Sequence, residues 1–118
     1  MLLDKSGKLV KSLDFRGTKV EFLDKITAKD LFMMIAKAQQ MVNSKDGPFK
    51  ARDLAPSDWS KTVYQHILDC CDDDKMTAYR LFGVIIKQAL IMTPLLFSTE
   101  GGEDQWDGTI YTKETLKF

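Results

Sequence analysis

The stretch KMTAYRLFGVIIKQALIM, residues 75–92, carries apolar side chains on almost every side of the helix that its spacing predicts. A helix that is apolar all round is normally buried inside a protein. We therefore expect it to be the central element, with the rest of the chain packed around it. Gly83 in its middle costs about 1 kcal/mol relative to Ala, which indicates a close approach by a neighbouring helix or a partner's backbone.

Two further helices are predicted upstream. Thr27 precedes a run of apolar residues at helical spacing and can cap a helix over about residues 28–42, which ends before Gly47-Pro48. Ser57 can cap another helix, which ends at the acidic run Asp72-Asp73-Asp74. Residues 49–54 are compatible with a short strand or with a single helical turn. The apolar face of the second helix comprises Trp59, Val63, Ile67 and Cys70.

Alternating apolar residues at both ends of the chain predict strands. Leu9, Leu13 and Phe15 alternate along one run, Val20 and Phe22 along the next, with Arg16-Gly17 as the turn between them. An earlier turn at residues 4–7 would let residues 1–3 pair as a short third strand. Near the other end, residues 95–97 and 109–112 predict a second hairpin with a long tip.

Together these elements predict an α+β fold in a single domain, residues 1–118. It has an N-terminal β-meander, a three-helix core and a C-terminal β-hairpin that the same sheet could include. The predicted core residues are Phe22, Leu31, Ile35, Trp59, Val63, Ile67, Tyr79, Phe82, Ile86 and Leu90.

Composition predicts a folded, cytoplasmic protein without a membrane partner. Hydrophobic residues make up 44% and charged residues 29% of the chain, which is close to the globular average. The first five residues already carry charges where a secretory signal needs an apolar region, and Lys87 interrupts the most apolar stretch. Cys70 and Cys71 are adjacent, so they cannot pair with ordinary disulfide geometry and are typical of reduced thiols.

No motif in the sequence predicts catalysis, a metal or a cofactor. His66 is the only histidine, and with the two cysteines it supplies three ligands where a structural zinc needs four. His66 and Cys70 lie four residues apart, but no motif marks the oxyanion donors that a thiol enzyme needs. The acidic run at residues 69–74 lacks the glycine and glutamate of a calcium loop, and we expect it to cap the helix that follows. We therefore expect no enzyme, no catalytic residue, no metal and no cofactor.

One segment resembles a family of DNA-binding proteins. FKARDLA at residues 49–55, followed by WSKTVYQHIL at residues 59–68, is similar to the helix-turn-helix half of winged-helix regulators. The resemblance implies that Val63 and Ile67 pack inward and that the hairpin over residues 95–112 acts as the wing. Pro56 and the acidic tip of that hairpin depart from the family pattern. The residues that would then face DNA are Lys61, Thr62, Tyr64, Gln65 and His66.

The leading hypothesis is a small, non-catalytic protein-interaction or assembly module that binds another protein or itself. Residues 1–61 carry 12 Lys and Arg against 8 Asp and Glu, and residues 62–118 carry 5 against 9, so the halves have opposite net charge within a neutral chain. Accessory proteins of bacteria or their phages often have this profile. The apolar residues proposed for its surface are Met33, Met41, Trp106 and Phe118. A winged-helix regulator that binds nucleic acid remains the alternative.

Overall fold

The computed structural model describes residues 1–11, 25–71, 74–102, 104 and 106–114, without the side chain of Cys70. Within this part of the chain it has the predicted α+β fold, with three α-helices and a four-stranded mixed sheet. The elements, in chain order, are β1 (Leu2–Leu3), β2 (Leu9–Val10), α1 (Ala28–Asn43), a first 3₁₀ turn (Ala51–Leu54), a second 3₁₀ turn (Trp59–Lys61), α2 (Gln65–Cys70), α3 (Lys75–Met92), β3 (Phe97–Gly101) and β4 (Thr109–Lys113).

The two ends of the chain form one sheet, with strand order β2-β1-β3-β4. The turn predicted at residues 4–7 joins β1 to β2, and its Gly7 has a positive φ of 84°. β1 pairs in parallel with β3 through Leu2 and Phe97, whereas β3 and β4 form the predicted antiparallel hairpin. The hairpin predicted around Arg16-Gly17, and the core position Phe22, lie outside the described residues.

Helix α3 has the predicted bounds and is the most buried helix of the described chain. Asp74 caps it, since its Oδ1 accepts from the backbone N–H groups of Met76 and Thr77 at 3.2 and 3.4 Å. α1, α2 and the first 3₁₀ turn all pack against α3. No helix in the described ranges has both the length and the apolar character needed to cross a membrane. The residues of α3 that are buried are Ala78, Leu81, Phe82, Gly83, Val84, Ile85, Ile86, Ala89 and Leu90.

Helix α1 begins and ends close to the predicted positions. The Thr27 hydroxyl oxygen accepts from the Asp30 N–H at 3.1 Å, which is the predicted cap. At the other end, Asn43 joins three elements, because Thr93 Oγ1 donates to its side-chain oxygen at 2.7 Å and Lys113 Nζ donates to its carbonyl at 2.5 Å. A cation at a helix C-terminus is favourable because unpaired carbonyls collect there.

The helix predicted from Ser57 onward is wrong in extent. Asp58 accepts from the N–H of Ser60 at 3.0 Å and from its hydroxyl at 2.6 Å, which starts a 3₁₀ turn in place of an α-helix. Thr62 then takes an extended conformation, and its hydroxyl donates to the Trp59 carbonyl at 3.0 Å. Side chains that bond to nearby backbone in this way compete with helix formation. The helix therefore begins only at Gln65 and has six residues.

Residues 49–54 contain both of the structures that the sequence left open, a strand-like bridge and a helical turn. Phe49 forms an antiparallel bridge with Tyr111, at the outer edge of β4, and residues 51–54 form the first 3₁₀ turn. Of the predicted core residues, Trp59, Ile67, Phe82, Ile86 and Leu90 are buried, whereas Leu31, Ile35, Val63 and Tyr79 are only half-buried and pack against the core.

The tip of the β3–β4 hairpin folds back onto the helices, so Trp106 is not the surface residue that the sequence suggested. Its indole stacks on Tyr79 with the ring centroids 4.4 Å apart and an interplanar angle of 7°. Its carbonyl accepts from the Arg52 N–H at 3.0 Å, and Asp107 beside it forms an ion pair with the Arg52 guanidinium at 3.0 Å. Arg52 of the first 3₁₀ turn therefore partly neutralises the acidic tip.

We expect Gly101→Ala to destabilise the protein and Gly102→Ala to leave it nearly unchanged. Gly101 has φ +88°, and a Cβ there would lie 2.6 Å from the Gly108 carbonyl oxygen, whereas the nearest atom to a Cβ at Gly102 is 3.6 Å away. Left-handed backbone alone costs an L-residue about 1–2 kcal/mol. Urea unfolding followed by circular dichroism measures both variants. Equal stabilities would contradict the described hairpin geometry.

Acid should destabilise the protein partly through Asp74. The Thr77 hydroxyl, followed by the Thr77 N–H, holds the pKa of this carboxyl below its ordinary value of 3.8. A depressed pKa in the folded state means that the stabilisation is present above the ordinary pKa and is lost as the pH falls through the folded value. Thermal melts between about pH 5 and pH 2 should show a shallower loss of stability for Asp74→Asn, which keeps the capping oxygen but does not titrate. A slope equal to that of the unsubstituted protein would exclude this contribution.

Candidate functional site

An apolar groove of about 330 Å³ lies beside α1, where the chain leaves the first 3₁₀ turn and approaches α2. Residues 56–64, which are not α-helical, supply one side of it, and α1 supplies the other. Two half-buried side chains form part of its walls, the flexible one of Met41 and the branched one of Val63. The residues that line it are Lys37, Met41, Leu54, Pro56, Lys61, Thr62, Val63 and Tyr64.

Tyr64 belongs to the wall of this groove and to the core, so the prediction that it faces DNA is wrong. Its side chain is 2% exposed, and its ring meets Phe82 edge to face with the centroids 5.0 Å apart. The hydroxyl lies 3.5 Å from the Met34 carbonyl oxygen. Burial raises the pKa of the phenol, which therefore stays neutral. An aromatic ring in such a position acts mainly through packing.

Lys37 and Lys61 give the groove a positive rim. Both side chains are exposed, and neither forms an ion pair with any residue that the structure describes. No carboxylate of the part of the chain that the structure describes lines the groove. Thr62 is occupied locally, since its hydroxyl donates to Trp59 and accepts from the Tyr64 N–H at 3.2 Å.

The remaining two residues predicted to face DNA lie on α2, outside the groove. Gln65 Nε2 donates to Asp69 Oδ1 at 2.8 Å within the helix. His66 Nε2 lies 3.7 Å from Asp30 Oδ2 of α1. The five residues are thus divided among the groove, the core and the outer side of a six-residue helix, whereas the resemblance implied one continuous face. The DNA binding that it implied stays a prediction.

The groove offers chemistry suited to binding. Its apolar walls can take an apolar side chain, and its two ammonium groups can pair with carboxylates or phosphates. Among the described residues, no three His, Cys, Asp or Glu side chains come together as metal ligands, and Cys71 is buried. The distance between His66 and the Cys70 thiol lies outside what the structure describes.

The sequence proposed Met41 for an apolar surface and Lys61, Thr62 and Tyr64 for a DNA-binding face. It did not bring these residues together, and it missed Lys37, Leu54 and Pro56. Pro56 was the available signal, because a proline disfavours helix at the residue before it and so separates the segments on either side. Comparisons with protein-family models, with curated proteins and with solved structures found no match to this chain. The function is therefore argued from the chain's own residues.

Tyr64→Ala should lower the free energy of unfolding by about 3–5 kcal/mol, because it removes a buried aromatic side chain. Lys61→Ala, three residues away on the rim, should change it by less than about 0.5 kcal/mol. Tyr64→Phe keeps the ring and serves as the matched control. Urea unfolding of the three variants tests this division between wall and rim. A Tyr64→Ala protein as stable as the original would place the ring outside the core.

Proposed function

We propose that this protein is a non-catalytic interaction module, and that its groove binds a partner protein's segment in which apolar side chains are flanked by carboxylates. The observation that carries this proposal is an apolar groove whose rim bears two ammonium groups, Lys37 and Lys61, and none of the acidic residues that the structure describes. A cytoplasmic setting, such as that of a bacterial or phage accessory protein, suits the two adjacent cysteines.

The apolar surface extends beyond the groove along α1. Met33, Lys37 and Met41 recur every four residues, so they follow one stripe of the helix. Met33 is 45% exposed and Phe32 beside it 67% exposed, which gives the partner apolar area outside the groove itself. Methionine side chains are flexible and polarisable, and they adapt to differently shaped ligands.

The charges favour an acidic partner. Attraction between a partner's carboxylates and these exposed ammonium groups speeds association and disfavours partners of the wrong charge. A basic segment would place like charges beside Lys37 and Lys61. The groove therefore favours a partner segment that places negative charges beside its rim and apolar side chains against its walls.

A nuclear magnetic resonance titration tests the proposal. The probes are terminally blocked six-residue peptides in which two leucines are flanked by glutamates, and the same peptides with lysines replacing the glutamates. We expect the glutamate peptides to shift the amide resonances of Met41, Lys61 and Val63, and the lysine peptides to leave them in place. Charge reversal in Lys37→Glu/Lys61→Glu should weaken the binding about tenfold or more, which corresponds to about 1.4 kcal/mol.

The matched control is Lys8→Glu/Lys75→Glu, which makes the same change of net charge at exposed lysines outside the groove. It should bind the glutamate peptides as the original protein does. Equal weakening by both double variants, or no shift at millimolar peptide, would overturn the proposal. A different result would favour the winged-helix alternative over this proposal. In that case duplex DNA would shift the resonances of Lys61, Gln65 and His66, salt would weaken the effect, and no peptide would cause a shift.

A further inference from the structure

Three of the chain's six methionines lie on α1, and they differ in how far solvent can reach them. Met33 is 45% exposed, and Met41, eight positions further along, is half-buried in the wall of the groove. Met34, directly beside Met33 in the sequence, is fully buried in the core. An oxidant dissolved in the solvent can therefore reach both methionines of the proposed binding surface, whereas the fold protects Met34.

Lys37 lies between the two accessible methionines. Positions 33, 37 and 41 are successive four-residue steps along α1, and side chains four residues apart on a helix are neighbours. The Lys37 side chain is exposed and forms no ion pair with any residue that the structure describes. A polar acceptor created on Met33 or Met41 would therefore lie within reach of an ammonium group that has no carboxylate partner in the described fold.

We propose that Met33 and Met41 are an oxidation site that regulates binding in the groove, with hydrogen peroxide as the oxidant. Each thioether sulfur donates an electron pair to one oxygen of the peroxide, the O–O bond breaks, and the products are a methionine sulfoxide and water. The sulfur loses two electrons and the peroxide gains them, so no further reactant is needed. The inference rests on the function proposed for the groove, because it concerns regulation of the same surface.

Oxidation changes two properties of this surface. The sulfoxide oxygen is a polar acceptor, and covering it with a partner's apolar side chain costs hydration that a thioether does not lose. The same oxygen can accept a hydrogen bond from Lys37, which then is less available to the partner's carboxylate. Both changes weaken the binding of an apolar segment flanked by carboxylates. Enzymatic reduction of the sulfoxide restores the thioether, so the regulation is reversible.

Protein labelled with ¹³C in the methionine methyl groups tests the inference, because the methyl resonance moves when the sulfur is oxidised. Single replacements of methionine by leucine assign the six signals. After limited treatment with hydrogen peroxide, we expect the Met33 and Met41 signals to move and the Met34 signal to stay. The oxidised protein should bind the glutamate-flanked leucine peptides about tenfold more weakly or worse. Treatment with methionine sulfoxide reductases for both sulfoxide epimers should restore the binding.

Two double variants identify the methionines that matter. Met33→Leu/Met41→Leu keeps an apolar surface that cannot form a sulfoxide, so it should bind the peptides equally well before and after peroxide. The matched control, Met76→Leu/Met92→Leu, replaces two exposed methionines outside the groove and should lose binding after peroxide as the original protein does. Both variants keep the two cysteines, so a loss caused by thiol oxidation would affect them equally.

Equal loss of binding in both variants would overturn the inference and leave the function of the groove in place. The same holds if the original protein binds undiminished once Met33 and Met41 are oxidised, or if neither is oxidised in the folded protein. Absence of peptide binding before any peroxide is added is a different outcome, since it would overturn the proposed function and the inference that rests on it.

Discussion

Burial of α3 on almost every side is the constraint on which the described structure depends. A helix with so little polar surface must be covered from several directions, and α1, α2 and the first 3₁₀ turn provide that cover. The ring of Phe82 contacts Trp59 and Tyr64 of the segment before α2 and Trp106 of the β3–β4 hairpin, so two distant parts of the chain meet on it. The candidate groove lies at the edge of this arrangement, beside α1.

The parts of the fold that the sequence predicted are those specified by neighbouring residues. Thr27 and Asp74 cap α1 and α3, and the spacing of apolar residues fixes how far each helix runs. The length of the helix predicted after Ser57 was overestimated. Its apolar residues have helical spacing, but the side chains of Asp58 and Thr62 bond to nearby backbone groups and interrupt the helix. The spacing of apolar residues shows which face of a helix is apolar. It does not show that polar side chains compete with the helix for backbone hydrogen bonds.

The candidate sites were less predictable, because they depend on contacts between distant residues. Tyr64 lies in a polar stretch that resembles a recognition helix, yet the ring is drawn inward by Phe82, eighteen positions further along. Trp106 was expected at a hairpin tip, and only the stack on Tyr79 reveals its position. Tyr111 could be predicted as a strand residue from its β-favouring neighbours. Nothing in its neighbouring residues indicates that its hydroxyl is buried without a partner among the described residues.

The parallel pairing of β1 with β3 has a consequence for how the chain acquires its structure. Leu2 lies beside Phe97, so β1 is synthesised about ninety residues before the strand that it pairs with. β1 and β2 are two residues each, too short to form a stable hairpin alone. Contacts between residues so far apart in sequence also form slowly, because a long loop must close first. The four-stranded sheet therefore cannot form during synthesis before β3 has been made, and Phe82 of α3 lacks its contact with Trp106 until the tip of the β3–β4 hairpin has been made.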